Sequence, residues 1–257
     1  MSHLMILGGS SPIGIECIKI ALKKNFRVTV IGRKKPNIKD KNFFFKKIDF
    51  LATNNWKKIF IEINKKNLVT NLIFLQRSRE KNNIFLNELK ISILPVFEII
   101  KEFYTFNLKT KNKKNKSILI FTSPIVDKAA LEQSLSYHIS KAILNQIIKY
   151  FSVYLGKIFC NINGLAPDIV YKERAKNYFK KNIKLKKLFT KIIPLKKMAT
   201  TKEIAKITIS LIDPKFYYLN GQIITLDGGL NSHTNSSIAR LSSNFIKDEI
   251  DLKNFKI

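Results

Sequence analysis

The chain has 257 residues, of which 45% are hydrophobic and 11% aromatic, enough for the core of one large domain or two small ones. Its formal net charge of +29 would attract nucleic acid without regard to sequence. Only six of the 47 basic residues are arginine, however, and the lysines are spread along the chain. Because no helix-turn-helix, zinc or RNA-binding motif accompanies them, nucleic acid is the least supported partner.

The sequence carries no signal for secretion, membrane insertion or metal binding. No apolar run approaches the ~20 residues of a membrane span, and the first residues lack the basic segment and cleavage site of a signal peptide. We therefore expect a cytoplasmic protein without membrane contact. Cys17 and Cys160 lie far apart in apolar surroundings, with no CxxC and three histidines in the chain, which predicts reduced core cysteines and no metal site.

Short apolar runs alternate with helical patterns along the chain. The strand-like runs cover residues 4–8, 27–32, 42–49, 71–76, 117–123, 160–167 and 222–227. The helical patterns cover residues 14–24, 56–65, 84–107, 137–156 and 202–211. This repeated β-α-β pattern predicts an α/β fold: a doubly wound, seven-stranded parallel sheet of Rossmann-like type in a three-layer αβα arrangement. The lysine-rich run at 109–116 reads as a solvated loop.

The first predicted strand ends in a glycine-rich turn. Gly8 leads into the sequence GSSPIG, and a helix pattern follows. In such a β-α turn, glycines permit positive φ angles and a close approach of the backbone to a pyrophosphate at the helix N-terminus. The turn therefore predicts a dinucleotide site, although Pro12 removes one N–H that would face the ligand.

The ends of the next two strands bear on the choice of cofactor. Arg33 follows the second strand, where an acidic residue would bind the ribose 2′-OH and a basic one accommodates a 2′-phosphate. This favours NADP(H) and leaves NAD(H) open. Asp49 closes the third strand, either to bond the adenine or to cap a turn or helix.

Tyr137 and Lys141 are four residues apart in a helical pattern and therefore share one face. A free tyrosine titrates near pH ~10, and a nearby ammonium favours the phenolate. The pair is a candidate for acid/base chemistry at neutral pH.

With these motifs and the C-terminal GQIITLDGG, the chain resembles the classical, single-domain short-chain dehydrogenase/reductase family over about residues 3–230. Tyr137-x-x-Ser140-Lys141 matches the family's Tyr-x-x-Ser-Lys, and Ser123 falls where its catalytic serine is expected. Residues 161–167 resemble the strand end beside the nicotinamide, and 202–205 and 220–229 match the closing segments. The resemblance implies one domain over 1–230, with a mobile substrate lid at about 168–198, and a tail over 231–257.

The resemblance also implies a mechanism. Tyr137 would donate a proton to a carbonyl oxygen as hydride arrives from the nicotinamide, Ser123 would hydrogen-bond that oxygen, and Lys141 would assist the tyrosine and bind the ribose. Ser92 stands where the family usually has a fourth catalytic residue, an asparagine. The implied cofactor contacts are Gly8, Ser10, Ser11, Ile13, Gly14, Arg33, Asp49, Phe50, Leu75, Tyr137, Lys141, Pro167 and Ile169.

Some positions depart from the family pattern. Phe74 to Arg77 replace its Asn-Asn-Ala-Gly, and Asp168 replaces a glycine. The lid segment 171–192 carries nine basic residues and one acid, which suggests an anionic handle on the substrate, such as an acyl carrier or a nucleotide sugar; a solvated helix face explains the same charges.

The leading expectation is an NADP(H)-dependent oxidoreductase that interconverts a small-molecule carbonyl and a secondary alcohol. The alternative is a cofactor-binding but catalytically weak sensor or partner protein. By resemblance, the two longest helices would join copies into a homotetramer or homodimer.

Overall fold

The structure is a computed structural model, and it describes residues 1–53, 55–110 and 113–243. The segment predicted as a tail contains a helix at Asn235–Ser242. The rest of the tail prediction, from residue 244 onward, lies outside the described residues.

Seven strands form one sheet in the order β3-β2-β1-β4-β5-β6-β9. Their bounds are β1 His3–Leu7, β2 Arg27–Gly32, β3 Phe43–Lys47, β4 Asn71–Phe74, β5 Lys116–Phe121, β6 Cys160–Pro167 and β9 Ile223–Leu226. β1, β4 and β5 are buried along their whole length, which explains why the strands read as unbroken apolar runs. The Rossmann-like parallel fold predicted from the sequence is confirmed.

The helices lie between the strands as predicted. Their bounds are α1 Pro12–Lys23, α2 Trp56–Lys66, α3 Ile84–Glu88, α4 Leu94–Thr110, α5 Leu135–Leu155 and α8 Thr201–Leu211. A π-helical turn, Leu89–Ile93, joins α3 to α4, so the single helix predicted over 84–107 contains one wide turn. Such turns are frequent at functional sites.

The prediction of a solvated loop at 109–116 is wrong at both ends. α4 continues to Thr110, and Lys116 is the first residue of β5, with 1% of its surface exposed. Its ammonium donates to the carbonyls of Lys114 and Ile158 at 2.8 and 2.9 Å. These acceptors offset part of the cost of burying a charge. Residues 111 and 112 lie outside the described residues.

The chain divides into two compact units. The first comprises 1–167 and 202–225, and it contains nearly all of the sheet and its apolar core. The second comprises 168–201 and 226–257 and includes the segment predicted as a lid. Its described elements are β7 Val170–Tyr171, α6 Lys176–Lys181, α7 Ile183–Ile192, β8 Ala199–Thr200 and α9 Asn235–Ser242. The division into a domain over 1–230 with a separate tail remains a prediction.

Cys17 and Cys160 are both unbonded and buried. Burial raises the pKa of the Cys17 thiol to about 12 and raises that of Cys160 as well, so both are poor nucleophiles at neutral pH. Within the described ranges, no three histidine, cysteine or acidic side chains lie close enough to hold a metal ion. Likewise, no described helix is both long and apolar enough to cross a bilayer.

Candidate active site

The glycine turn brings three backbone segments into close contact. Gly8 has φ +75°, and a β-carbon there would lie 2.7 Å from the Gln76 nitrogen. A β-carbon at Gly14 would lie 2.6 Å from the Gly9 carbonyl oxygen. Any side chain at these positions would separate α1 from the turn, or the turn from the end of β4. The glycines therefore allow the close approach that the sequence predicted.

Pro12 is accommodated in the first turn of α1, which begins two residues earlier than predicted. Ser11 is the N-cap, and its hydroxyl accepts a hydrogen bond from Gly14 N at 3.1 Å. A proline in this first turn removes an N–H that no helical carbonyl would accept. Ser10 is exposed and Ile13 is buried. Pro12 thus stabilises the helix start and does not distort the turn.

The turn lies where the strand order reverses. β1 pairs with β2 on one side and with β4 on the other, and ligands of doubly wound sheets bind at the carboxyl ends of strands at such a point. After β4, Leu75 is half-buried and its N–H donates to Leu7 O at 2.9 Å. The side-chain oxygen of Gln76 is buried and has no hydrogen-bond partner in the part of the chain described. A donor from a bound molecule would satisfy it.

Three predicted cofactor contacts have protein partners. The Arg33 guanidinium donates to Glu80 at 3.1 Å in an exposed ion pair. Asp49 accepts a hydrogen bond from Leu51 N at 3.1 Å. This is the turn-capping role that the sequence analysis gave as the alternative to an adenine contact. The Phe50 ring is buried edge-on against Trp56 with ring centroids 5.0 Å apart. The Phe50 side chain therefore belongs to the core.

Tyr137 and Lys141 lie together at the start of α5. Ser134 caps this helix by accepting from Tyr137 N, which places the tyrosine in the first turn. The Lys141 ammonium lies 5.4 Å from the centroid of the Tyr137 ring and donates to Phe121 O, the last carbonyl of β5, at 2.9 Å. The lysine thus links the tyrosine to the carboxyl end of the sheet.

Arg77 contributes a second cation beside the same ring. Its guanidinium carbon lies 4.8 Å from the Tyr137 centroid, and it donates to Gln133 Oε1 at 3.3 Å. The pKa of Lys141 is lowered to about 8, chiefly by burial; the Glu88 carboxylate opposes this shift and the Arg77 charge adds to it. Close to neutral pH, the lysine can therefore exist in both protonation states.

Glu88 is buried at the interface of the π-helical turn and α5, with 4% of its surface exposed. Its Oε1 accepts from Ser92 Oγ at 2.5 Å and from Ser140 Oγ at 3.2 Å. Ser140 Oγ also lies 2.8 Å from Tyr137 O, so its single proton is shared between these two acceptors. Two residues of the predicted motifs, Ser92 and Ser140, are therefore connected through a carboxylate that the sequence analysis did not select.

A sequence signal for Glu88 exists. It is one of 18 acidic residues and stands four positions before Ser92, on the same side of a strongly apolar helical segment. An acid on that face indicates a buried polar network, because an isolated charge there would be costly.

The remaining predicted residues lie at strand ends. Ser123 is buried two residues beyond β5, and Pro167 ends β6. Ile169 belongs to the second unit, where it packs against a cluster formed by Ile193, Met198 and Leu230. Asp168, which departs from the family pattern, donates its N–H to Leu226 O at 3.2 Å.

A sequence profile described as enoyl-(acyl carrier protein) reductase matches residues 55–231, well over half of the chain. The chain belongs to the short-chain dehydrogenase/reductase family. A 3-oxoacyl-(acyl-carrier-protein) reductase of Buchnera aphidicola subsp. Baizongia pistaciae is 28% identical over 230 residues, 89% of this chain and 87% of that protein. The expectation of an NAD(P)-dependent oxidoreductase of this family is confirmed.

Solved structures share the fold. A 4-hydroxyisoleucine dehydrogenase complexed with NADH superposes with a TM-score of 0.80 at 21% identity, covering 91% of this chain and 100% of the other. The protein ElxO with NADP bound gives 0.78 at 20% identity, covering 90% and 99%. Both kinds of nicotinamide dinucleotide therefore occur in proteins of this fold.

Proposed function

We propose that this short-chain dehydrogenase/reductase catalyses NADP(H)-dependent interconversion of a carbonyl and a secondary alcohol, with Tyr137 as the acid/base. The observation that carries the proposal is the contact between Tyr137 and Lys141, anchored to Phe121 O at the carboxyl end of β5. The glycine turn after β1 fits a dinucleotide at the same edge of the sheet, and so does the buried side-chain oxygen of Gln76, which has no partner among the described residues.

The bound nicotinamide supplies or accepts the hydride. Tyr137 donates its phenolic proton to the substrate oxygen during reduction and accepts it during oxidation. The Lys141 ammonium stabilises the negative charge that develops on the phenol oxygen. Ser123, buried just beyond β5, would hydrogen-bond the substrate oxygen and fix its orientation.

The decisive experiment measures nicotinamide absorbance with a panel of 3-oxoacyl thioesters and keto-sugars. Tyr137→Phe should reduce kcat by about 10²–10⁴-fold, the usual contribution of a general acid. Tyr218→Phe, a change at a fully exposed tyrosine, is the matched control and should keep wild-type turnover. Undiminished turnover by Tyr137→Phe would refute the proposal.

Arg33 supports a preference for NADP(H). Its guanidinium pairs with Glu80 in an exposed ion pair, and such pairs contribute only about 0–1 kcal/mol. A 2′-phosphate can therefore displace the glutamate. Arg33→Ala should weaken NADPH binding about tenfold more than NADH binding, whereas Glu80→Gln should strengthen NADPH binding. Equal effects on the two cofactors would leave Arg33 without a role in selection.

We propose further that the substrate carries an anionic handle. Arg77 is exposed beside Tyr137, and the second unit presents exposed lysines at positions 176, 180, 181, 184, 186 and 187. The relative from Buchnera aphidicola, whose name specifies an acyl-carrier-bound substrate, makes a 3-oxoacyl carrier thioester the first candidate. Arg77→Gln should raise KM for an anionic ketone about tenfold, against a smaller change for a neutral ketone.

The second candidate is a cofactor-binding protein with little turnover. It is favoured by Ser92, which offers one hydroxyl where the family usually has an amide, and by Arg77 at the face of the tyrosine ring. NADPH binding measured by fluorescence, together with no turnover on the whole substrate panel, would support this role over the reductase.

We also propose assembly through α4 and α5. Their exposed apolar side chains include Leu94, Phe97, Tyr150, Val153 and Tyr154, an apolar set of the kind that oligomer contacts cover. Light scattering after gel filtration should show a homodimer or homotetramer, and Val153→Glu should reduce it to a smaller species. A wild-type monomer would exclude this assembly.

A further inference from the structure

A cluster of buried polar side chains lies between α5 and the π-helical turn. It includes the Glu88 carboxylate, which has no role in the proposed chemistry. Glu88, Ser92, Ser140 and Lys141 each expose 4% of their surface or less. A carboxylate and an ammonium in such a place would each cost several kcal/mol if uncompensated. Each of the two charges therefore needs compensation from the groups around it.

The hydrogen bonds fix the carboxylate in position. Ser92 Oγ, from the π-helical turn, and Ser140 Oγ, from α5, both donate to Glu88 Oε1. Because Ser140 belongs to α5 and lies directly beside Lys141 in the chain, this hydrogen bond ties the carboxylate to the helix that carries both predicted catalytic residues.

The charged and titratable groups around Lys141 come from three elements. Glu88 ends α3, Arg77 follows β4, and Tyr137 lies one turn earlier on α5. Arg77 opposes a proton on Lys141, and so does burial. Glu88 is the group among them that favours the proton.

We propose that Glu88 is a positioning residue whose carboxylate, held by Ser92 and Ser140, is the internal counter-charge that keeps Lys141 protonated. The inference rests on the proposed function, because Lys141 is useful as a cation only if Tyr137 performs the acid/base step. Glu88 touches neither the phenol nor the reacting atoms. It acts through the lysine and sets the pH range in which the lysine is charged.

The first test is the pH profile of kcat/KM for carbonyl reduction. Glu88→Gln preserves shape and a hydrogen-bond acceptor while removing the charge. Lys141 should then lose its proton at lower pH, so the alkaline limb should move down by about one pH unit, the usual size of a nearby charge effect. The loss should be about fivefold at pH 8, where wild-type Lys141 is about half protonated, and within about twofold at pH 6. Glu98→Gln, on α4 and away from the lysine, should leave the limb in place.

The same assays on Tyr137→Phe separate the two claims. If Tyr137→Phe loses turnover and Glu88→Gln shifts the limb, both stand. If Tyr137→Phe loses turnover but Glu88→Gln shows the wild-type limb or a uniform loss at every pH, Glu88 is structural and only this inference fails. If Tyr137→Phe retains full turnover, both fail.

A stability cycle provides a readout that needs neither cofactor nor turnover. Lys141→Met leaves Glu88 as an uncompensated buried charge, so its melting temperature should fall. The double variant Glu88→Gln with Lys141→Met contains neither charge and should melt above the Lys141→Met protein. A double variant that melts at or below the Lys141→Met protein would overturn the pairing, even if Glu88→Gln alone does not fold.

Discussion

β5 has a buried lysine ammonium at each end, and the two lysines have different surroundings. At the amino end, Lys116 donates to the carbonyls of Lys114 and Ile158. At the carboxyl end, Lys141 of α5 donates to Phe121 O and lies beside the Tyr137 ring. The charge of Glu88 also acts on its ammonium. Burial lowers the pKa of both. A lowered lysine pKa is therefore not in itself a sign of catalysis. A tyrosine ring and a carboxylate around the lysine, as at Lys141, are a better indication.

The largest expected effect separates the two lysines by activity. Lys141→Met should lower kcat for carbonyl reduction by about 10²-fold or more, because the charge that assists Tyr137 is lost. Lys116→Met should keep kcat within about twofold. Steady-state kinetics on both variants, with circular dichroism to check folding, decides the matter. A large loss for Lys116→Met would show that burial alone accounts for the effect.

A second difference should appear in alkaline stability. The pKa of Lys141 is 10.5 in the unfolded chain and about 8 in the folded protein. Between pH 8 and 10.5, the unfolded chain therefore binds more protons than the folded protein does. The free energy of unfolding should therefore rise with pH across that window, by roughly 3 kcal/mol for the full shift.

Urea unfolding between pH 7.5 and 10.5 measures this rise. Lys141→Met should remove most of it, and Lys116→Met should remove a smaller part of the same sign. A wild-type stability that stays flat or falls over this range would contradict the assigned shift.

Asp227 extends the comparison to a carboxylate that has N–H donors instead of a cation. It accepts from Gly229 N at 2.9 Å and from Asn231 N at 2.7 Å. Burial raises the pKa of Asp227, but these hydrogen bonds outweigh it and lower the pKa overall. Its contribution to stability is thus present above the unfolded pKa and lost as the pH falls through the folded value.

Asp227→Asn should cost about 1–2 kcal/mol of unfolding free energy at pH 7, since hydrogen bonds to a charged acceptor are lost. The difference from wild type should shrink on acidification. A variant as stable as wild type at pH 7 would show that the turn after β9 does not need the charge.

The smallest expected effect concerns His3, at the amino end of β1. Its ring bonds Asn67 O at 2.9 Å and Thr29 Oγ1 at 2.8 Å. Burial lowers its pKa; the Asn67 carbonyl opposes this, and the Arg27 charge adds to it. On acidification, the His3 ring therefore takes up a proton at a higher pH in the unfolded chain than in the folded protein. The free energy of unfolding should fall as the pH drops below about 6.5.

His3→Gln should flatten this acid dependence in thermal melts between pH 5 and 7, whereas His233→Gln should preserve it. Identical slopes in wild type and His3→Gln would show that the ring is not a titrating part of the structure.

Much of the fold was predictable because parallel strands covered on both faces read as apolar runs. Each predicted strand and helix is present, and α5, which carries Tyr137, begins two residues earlier than predicted, after a Ser134 cap. The site was less predictable. Phe50 was assigned to the cofactor from its position, but packing against Trp56 assigns its ring to the core. Glu88 was missed because its spacing from Ser92 indicates a buried polar network but not Ser140, the serine that meets it from another helix.

The sequence by itself determined the family, the order of the strands along the chain, and the spacing of Tyr137 and Lys141 on one helical face, because these depend on local pattern and periodicity. Only the tertiary structure decided which charges share one buried space. In the sequence, Lys116 and Lys141 are the same type of residue. The surroundings of their ammonium groups differ because of residues distant in the chain, since electrostatic interactions depend on separation in space and on burial.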